Sequence, residues 1–125
     1  MSQRGKDVLG RLGEDAACRY LEGIGHTVLE RNWRSGHLEV DIISLAKDGI
    51  HIIEVKTRVA PLTHSPEENV GADKRRRLTR AALAYLHSAR VPRDSELFFD
   101  IITVVLDGGR TDINYIPSAW IPMYV

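Results

Sequence analysis

The sequence is poor in cysteine and aromatic residues, has no excess of either charge and contains no long hydrophobic run. One cysteine, Cys18, excludes an internal disulfide and fits a reducing compartment. Lys plus Arg and Asp plus Glu both number 17, so no global field draws the chain toward nucleic acid, and any such surface must be a local patch. No apolar run approaches the ~20 residues of a membrane span. The N-terminus, M-S-Q-R-G-K-D, lacks the apolar segment of a signal peptide. The expectation is a soluble cytoplasmic protein with no membrane partner. Repeats and low-complexity tracts are missing as well. The five histidines, His26, His37, His51, His64 and His87, show no metal-ligand spacing and read as ordinary surface or satisfied residues. What remains is a chain of 125 residues, read as one domain over 1–125 and large enough for a core without disulfides or structural metal.

The informative stretch is Glu39 to Arg58, E-V-D-I-I-S-L-A-K-D-G-I-H-I-I-E-V-K-T-R. Two apolar, β-branched runs flank Asp48-Gly49, which predicts a hairpin with those two residues as its loop. Glu39, Asp41, Glu54 and Lys56 interrupt runs that otherwise suit strands buried on both faces. Ionised groups there are costly unless paired or bound to a cation. With that loop Lys47 pairs with Ile50, and counting back sets Asp41 opposite Lys56 and Ile43 opposite Glu54. Side chains alternate along a strand, so all four charges gather on one side of the hairpin. A loop one residue longer, without a bulge, would split them between two faces.

The chain around the hairpin reads in order. Residues 7–24 have helical periodicity, with Leu9, Leu12, Ala16, Ala17, Tyr20, Leu21 and Ile24 as the apolar stripe and Glu14 on its border. From the pattern alone Glu14 is a border carboxylate with its head in water. Residues 26–33 predict a first strand, with Trp33 packing in the core or at an edge. Residues 59–72 form a loop, either a lid over a substrate or a plain connection. A second helix over 72–89 buries Leu78, Ala81, Ala82, Tyr85 and Leu86. Its opening K-R-R-R-L-T-R is either a solvated face or a phosphate-binding cluster; Lys74 shares the Leu78 stripe, whereas Arg76 and Arg80 face outward. Residues 97–106 predict a buried strand in which Asp100 needs a hydrogen-bonding partner, with a helix or loop backbone favoured over a metal. Residues 112–116 predict a short last strand, followed at 118–120 by a closing turn. The order α-β-β-β-α-β-β, with a helix joining two buried strands, predicts an α/β fold whose central sheet is mixed and flanked by helices.

Asp41 followed by a hairpin and Glu54-Val55-Lys56 resembles the core of the PD-(D/E)XK nuclease superfamily. G-E-D-A-A at 13–17, R-N-W-R at 31–34, E-V-D at 39–41, E-V-K-T-R at 54–58 and S-P-E-E at 65–68 resemble the YraN-like bacterial proteins, which are similar to archaeal Holliday-junction resolvases. The superfamily's proline before the first acid is Val40 here. The resemblance implies a restriction-endonuclease-like core and a metal-dependent endonuclease acting on DNA, on branched or repair intermediates. It implies Asp41, Glu54 and Lys56 as catalytic residues. Mg²⁺ or Mn²⁺ would be held by Asp41, Glu54, the Val55 carbonyl and Glu14, with Glu39 behind them. Arg58, Lys74, Arg75, Arg76, Arg77 and Arg80 are the candidate nucleic-acid contacts.

The bland alternative is a buried ion-pair network of Asp41 and Lys56 that fixes strand register. Three acids against one lysine leave excess negative charge, which favours a cation. Two functions follow: a metal-dependent endonuclease, or a non-catalytic nuclease-fold module that binds nucleic acid or protein. The neutral overall charge favours the second, or else calls for a homodimer or protein partner to complete a DNA surface.

Overall fold

The computed structural model describes residues 3–62, 70–88 and 90–122. The S-P-E-E motif and most of the loop read as a lid or connection lie outside them. The elements are α1 (Gln3–Gly23), β1 (Thr27–Ser35), β2 (Leu38–Ala46), β3 (Gly49–Val59), α2 (Ala72–His87), β4 (Leu97–Asp107) and β5 (Arg110–Trp120). They form one five-stranded sheet in chain order, β1-β2-β3-β4-β5. Neighbours are antiparallel except β3 and β4, which run parallel because α2 carries the chain back between them. This is the α/β architecture with a mixed sheet and two flanking helices expected from the sequence.

The helices take opposite faces of the sheet. Strand alternation sends Ile50 and Ile52 toward α2, where they meet Leu78, Ala81, Ala82 and Tyr85, and sends Ile53 toward Ala16, Ala17 and Leu21 of α1. The α2 stripe is buried as its period predicts. The α1 stripe is narrower than predicted, since Leu12, Tyr20 and Ile24 stay exposed. Small residues set this seam. Gly13 lies so close to β3 that an added Cβ would fall 1.8 Å from the Thr57 hydroxyl oxygen. Close approach at Gly13 and Ala17 decides which face turns inward, and the larger apolar side chains are left at its rim.

Two boundaries differ from expectation for local reasons. The β2–β3 loop is Lys47-Asp48, closed by the pair Ala46↔Gly49, so the register is Ile43↔Ile52 and Ile42↔Ile53. Gly49 takes the positive φ, +144°, and a Cβ there would come within 2.6 Å of the Glu96 carbonyl. The glycine is therefore fixed at the first pair of the ladder instead of in the loop. A shift by two residues per pair keeps Ile42, Ile43, Ile52 and Ile53 on their predicted faces but moves Asp41 away from Lys56, and beyond the last pair the alternation slips, since Val40 joins Ile43 on the α2 side. The last strand is also longer than predicted. It runs through Pro117 to Trp120 with a register shift opposite Phe99 and Ile101. As an edge strand it tolerates the proline, and Ser118, at φ +49°, turns its N–H onto Asp100 at 2.9 Å.

Candidate functional site

The β2–β3 ladder ends at Ile42↔Ile53, while β2 continues beside β1 through Trp33↔Val40 and Arg34↔Glu39. The sheet therefore splays beyond Ile42, and β2 supplies no backbone carbonyl to Val55. Asp41 fills the gap: its Oδ2 accepts the Val55 N–H at 2.8 Å. Glu54, only 8% exposed, lies beside it on β3. Burial raises the Asp41 pKa, the charge of Glu54 raises it further, and the Val55 hydrogen bond, although it lowers it, leaves the carboxyl at about 7. More distant charges act as well: Glu14 adds to the rise and Lys74 opposes it.

Lys74, in the first turn of α2, reaches across the splay and places its Nζ 2.6 Å from Glu54 Oε1. Together these groups border a cavity of about 210 Å³ lined by His37, Leu38, Glu39, Asp41, Glu54, Lys74, Arg77 and Leu78. One wall, from β2 and β3, is acidic. The other, from α2, is basic.

The residues singled out in the sequence fall into three groups. Asp41, Glu54, Glu39, Lys74 and Arg77 meet at this cavity, with Val55 bonded to Asp41 at its base. Glu39 also lies 3.6 Å from Arg34. Glu14 approaches from α1, close enough to raise the Asp41 pKa. Its carboxylate accepts from Asn32 at 2.9 Å and lies 3.9 Å from Arg31, so R-N-W-R serves to position it. Among the described residues no three His, Cys, Asp or Glu side chains form a ready metal cluster. Lys56 is half-buried two residues beyond Glu54 and is not among the side chains lining the cavity.

The remaining cations are spread over the helix and strand end. Arg75 donates to the Val70 carbonyl at 2.6 Å and lies over the Trp120 ring, so it holds α2 to the last strand. Arg76 pairs with Asp73 on its own helix. Arg80 is exposed, and Arg58, also exposed, donates to the Thr57 carbonyl. The outward placement of Arg76 and Arg80 and the inward lean of Lys74 are as the helical period gave them.

A second polar cluster lies at the opposite end of the sheet, on the α1 face. Buried His51 places Nδ1 2.6 Å from Asp100 Oδ2 and Nε2 2.7 Å from Asp48 Oδ1. Asp100, with no exposed surface, also accepts from the Tyr115 hydroxyl at 2.5 Å and from the Ser118 N–H. His26 bonds Ser44 at 2.8 Å, and its ring lies 4.7 Å from that of His51. Burial works against a charged His51, but the hydrogen bonds to Asp100 and Asp48 outweigh it and hold the pKa above its ordinary value. His51 is thus a satisfied histidine, one of the two kinds expected, and the backbone partner of Asp100 is Ser118, in a strand and not in a helix or loop. The usable signal was a histidine and an aspartate each buried by its strand, whose pairing needs the β3–β4 register to be seen.

Comparison with known proteins gives the chain a family. Residues 13–104 match the family described as uncharacterised protein family UPF0102. The chain belongs to that family. A UPF0102 protein of Bacteroides thetaiotaomicron is 43% identical over 114 residues, covering 91% of this chain and 93% of the relative. One from Pseudarthrobacter chlorophenolicus is 43% identical over 115 residues, 88% of this chain and 83% of its own. A third, from Oleidesulfovibrio alaskensis, is 47% identical over 98 residues, 78% of this chain and 48% of the relative. The segment matched to UPF0102 begins at Gly13, the point where α1 touches β3, and contains Glu14, Asp41, Glu54, Lys56 and Lys74. The family description assigns no activity. No described helix is long and apolar enough to cross a membrane.

Proposed function

We propose that this UPF0102 protein is a metal-dependent endonuclease that hydrolyses phosphodiester bonds in DNA, with branched or repair intermediates as the substrates to test first. The observation that carries the reading is the pair Asp41 and Glu54 at the splayed end of β2 and β3, facing Lys74 and Arg77 across a small cavity. A site built only for stability would not crowd carboxylates until burial and Glu54 raise Asp41 to about 7.

The donor set suits a hard divalent cation. Mg²⁺ is commonly bound through one or two carboxylates, with waters and substrate phosphate completing its shell, so two acids without a third side chain suffice. Asp41 and Glu54 would hold the ion. Bound there, Mg²⁺ or Mn²⁺ would polarise the scissile phosphate and lower the pKa of the attacking water. Asp41 is fixed by the Val55 N–H and Glu54 by burial between strands, so both are preorganised. Lys56, from the same strand, would stabilise the charge that develops on the phosphoryl oxygens. Arg76 and Arg80 face outward on α2 and would meet flanking phosphates without reading bases.

One observation favours the alternative, a nuclease-fold module that binds DNA, RNA or protein without cleaving it. Glu54 is neutralised by Lys74, and Glu14 is occupied by Asn32, so the acids already have partners. The deciding experiment incubates linear, flapped, gapped and four-way DNA with Mg²⁺ or Mn²⁺ and compares wild type with Asp41→Asn. Cleavage by wild type alone supports the enzyme. Binding without cleavage on every substrate moves the assignment to the module.

A further inference from the structure

We propose that Lys74 is an exchangeable counter-cation: it yields Glu54 when a divalent cation binds, and its freed ammonium then holds a substrate phosphate together with Arg77. This rests on the metal-dependent reading above and adds to it a residue, and a coupling between ion and phosphate, that the (D/E)-x-K pattern does not contain.

Three features support the exchange. The two ends of the ion pair are unequal, with the Glu54 side chain 10% exposed and that of Lys74 47% exposed. The carboxylate is set in the sheet, while the lysine is a flexible arm on the first turn of a helix. An ion pair open to water on one side is worth only about two- to fivefold in an equilibrium, so it holds the acid without locking it. Second, the charges of the cavity are segregated. Glu39, Asp41 and Glu54 come from the strands, and Lys74 and Arg77, three residues apart and so neighbours on one helix face, come from α2. A lysine released from Glu54 therefore stays beside an arginine facing the same space. Third, the cavity is small. Its volume is about 210 Å³, and its lining is mostly charged with no Phe, Tyr or Trp on which a base could stack. That chemistry suits a cation and a phosphate group, so the ligand is the backbone phosphate of any sequence.

In this arrangement Lys74 suppresses ion binding in the absence of substrate and contributes to DNA binding only when an ion is present. The test is a pair of titrations on folded wild type, Lys74→Met, Lys74→Gln and Lys74→Arg, the two neutral variants guarding against a local defect at the helix start. Calorimetry with Mn²⁺ alone should show affinity rising about two- to fivefold in both neutral variants, the worth of a half-exposed ion pair, and remaining close to wild type in Lys74→Arg. Anisotropy of a labelled DNA duplex, checked intact afterwards, is then measured in Ca²⁺ and in chelator. The neutral variants should bind the duplex several-fold more weakly in Ca²⁺ and as wild type does in chelator. Opposite signs for ion and DNA cannot come from a lysine that merely pins α2, whose loss weakens both. Unchanged or weaker Mn²⁺ binding, or equal loss of DNA affinity with and without Ca²⁺, overturns the proposal. Failure of wild type to cleave any DNA would remove the nuclease reading and leave these binding results to be judged on their own.

Discussion

Replacing Asp41 by Asn tests the crowding of the site directly through folding. Asn keeps the size of the side chain and an oxygen to accept the Val55 N–H, but it cannot ionise. In the folded protein the carboxyl is raised from 3.8 to about 7 by burial and by Glu54. Each tenfold change in proton affinity is ~1.4 kcal/mol, so ionising Asp41 costs the fold ~4 kcal/mol as an upper figure. Water at the cavity mouth screens part of this, and about half, ~2 kcal/mol, is the expected size. The native state binds the proton more tightly than the unfolded chain, so this group's contribution is greatest near pH 4. It is lost as pH rises toward 7 and is flat above 8.

His51 also loses its stabilising contribution with rising pH, because hydrogen bonds to Asp100 and Asp48 raise its pKa despite burial. Comparing wild type with Asp41→Asn cancels that background. Urea denaturation followed by Trp33 and Trp120 fluorescence, at pH 4 and pH 8, should find Asn the more stable by ~2 kcal/mol at pH 8, and by much less at pH 4. Mg²⁺ at pH 8 should stabilise wild type and leave the Asn variant unchanged. A gap between the two proteins that is the same at both pH values would refute the claim that Asp41 is held ionised at a cost.

The other predictions concern separate parts of the molecule. Asp100→Ala should cost ~3–5 kcal/mol in denaturation, because it leaves buried His51, the Tyr115 hydroxyl and the Ser118 N–H without their shared acceptor. A loss below ~1 kcal/mol would mean that water replaces the carboxylate. Gly13→Ala should cost ~1–3 kcal/mol, since the new Cβ meets Thr57 at 1.8 Å, and Thr57→Ala in the same chain should recover part of the loss. Within the endonuclease proposal, Lys56→Ala should lower turnover far more than DNA affinity, whereas removing Arg76 and Arg80 together should weaken binding to all sequences and flatten its salt dependence. Equal modest losses of affinity from both changes, with no turnover in wild type, would favour the binding module.

The sequence alone determined the element order and the mixed sheet, and of the four charges expected on one side of the hairpin Glu39, Asp41 and Glu54 meet at one cavity, which Lys56 does not line. These depend on periods of 2 and 3.6 and on turn residues, which are local properties of the chain. Within the paired ladder alternation survived an error of register, because moving the loop from Asp48-Gly49 to Lys47-Asp48 shifts each pair by two residues; beyond it, at Val40, alternation did not hold. Which charge meets which was decided by tertiary structure. Asp41 left Lys56 because the Glu96 carbonyl leaves no room for a side chain at Gly49, and because β2 parts from β3 to follow β1. Glu54 found Lys74, 20 residues away, only because the crossover helix returns over the splay. The same holds for His51 and Asp100, which share a hydrogen bond across 49 residues of chain. Local pattern can place a charge on a face, but a partner supplied by a parallel crossover or a distant strand is set by packing, which a period in the sequence does not encode.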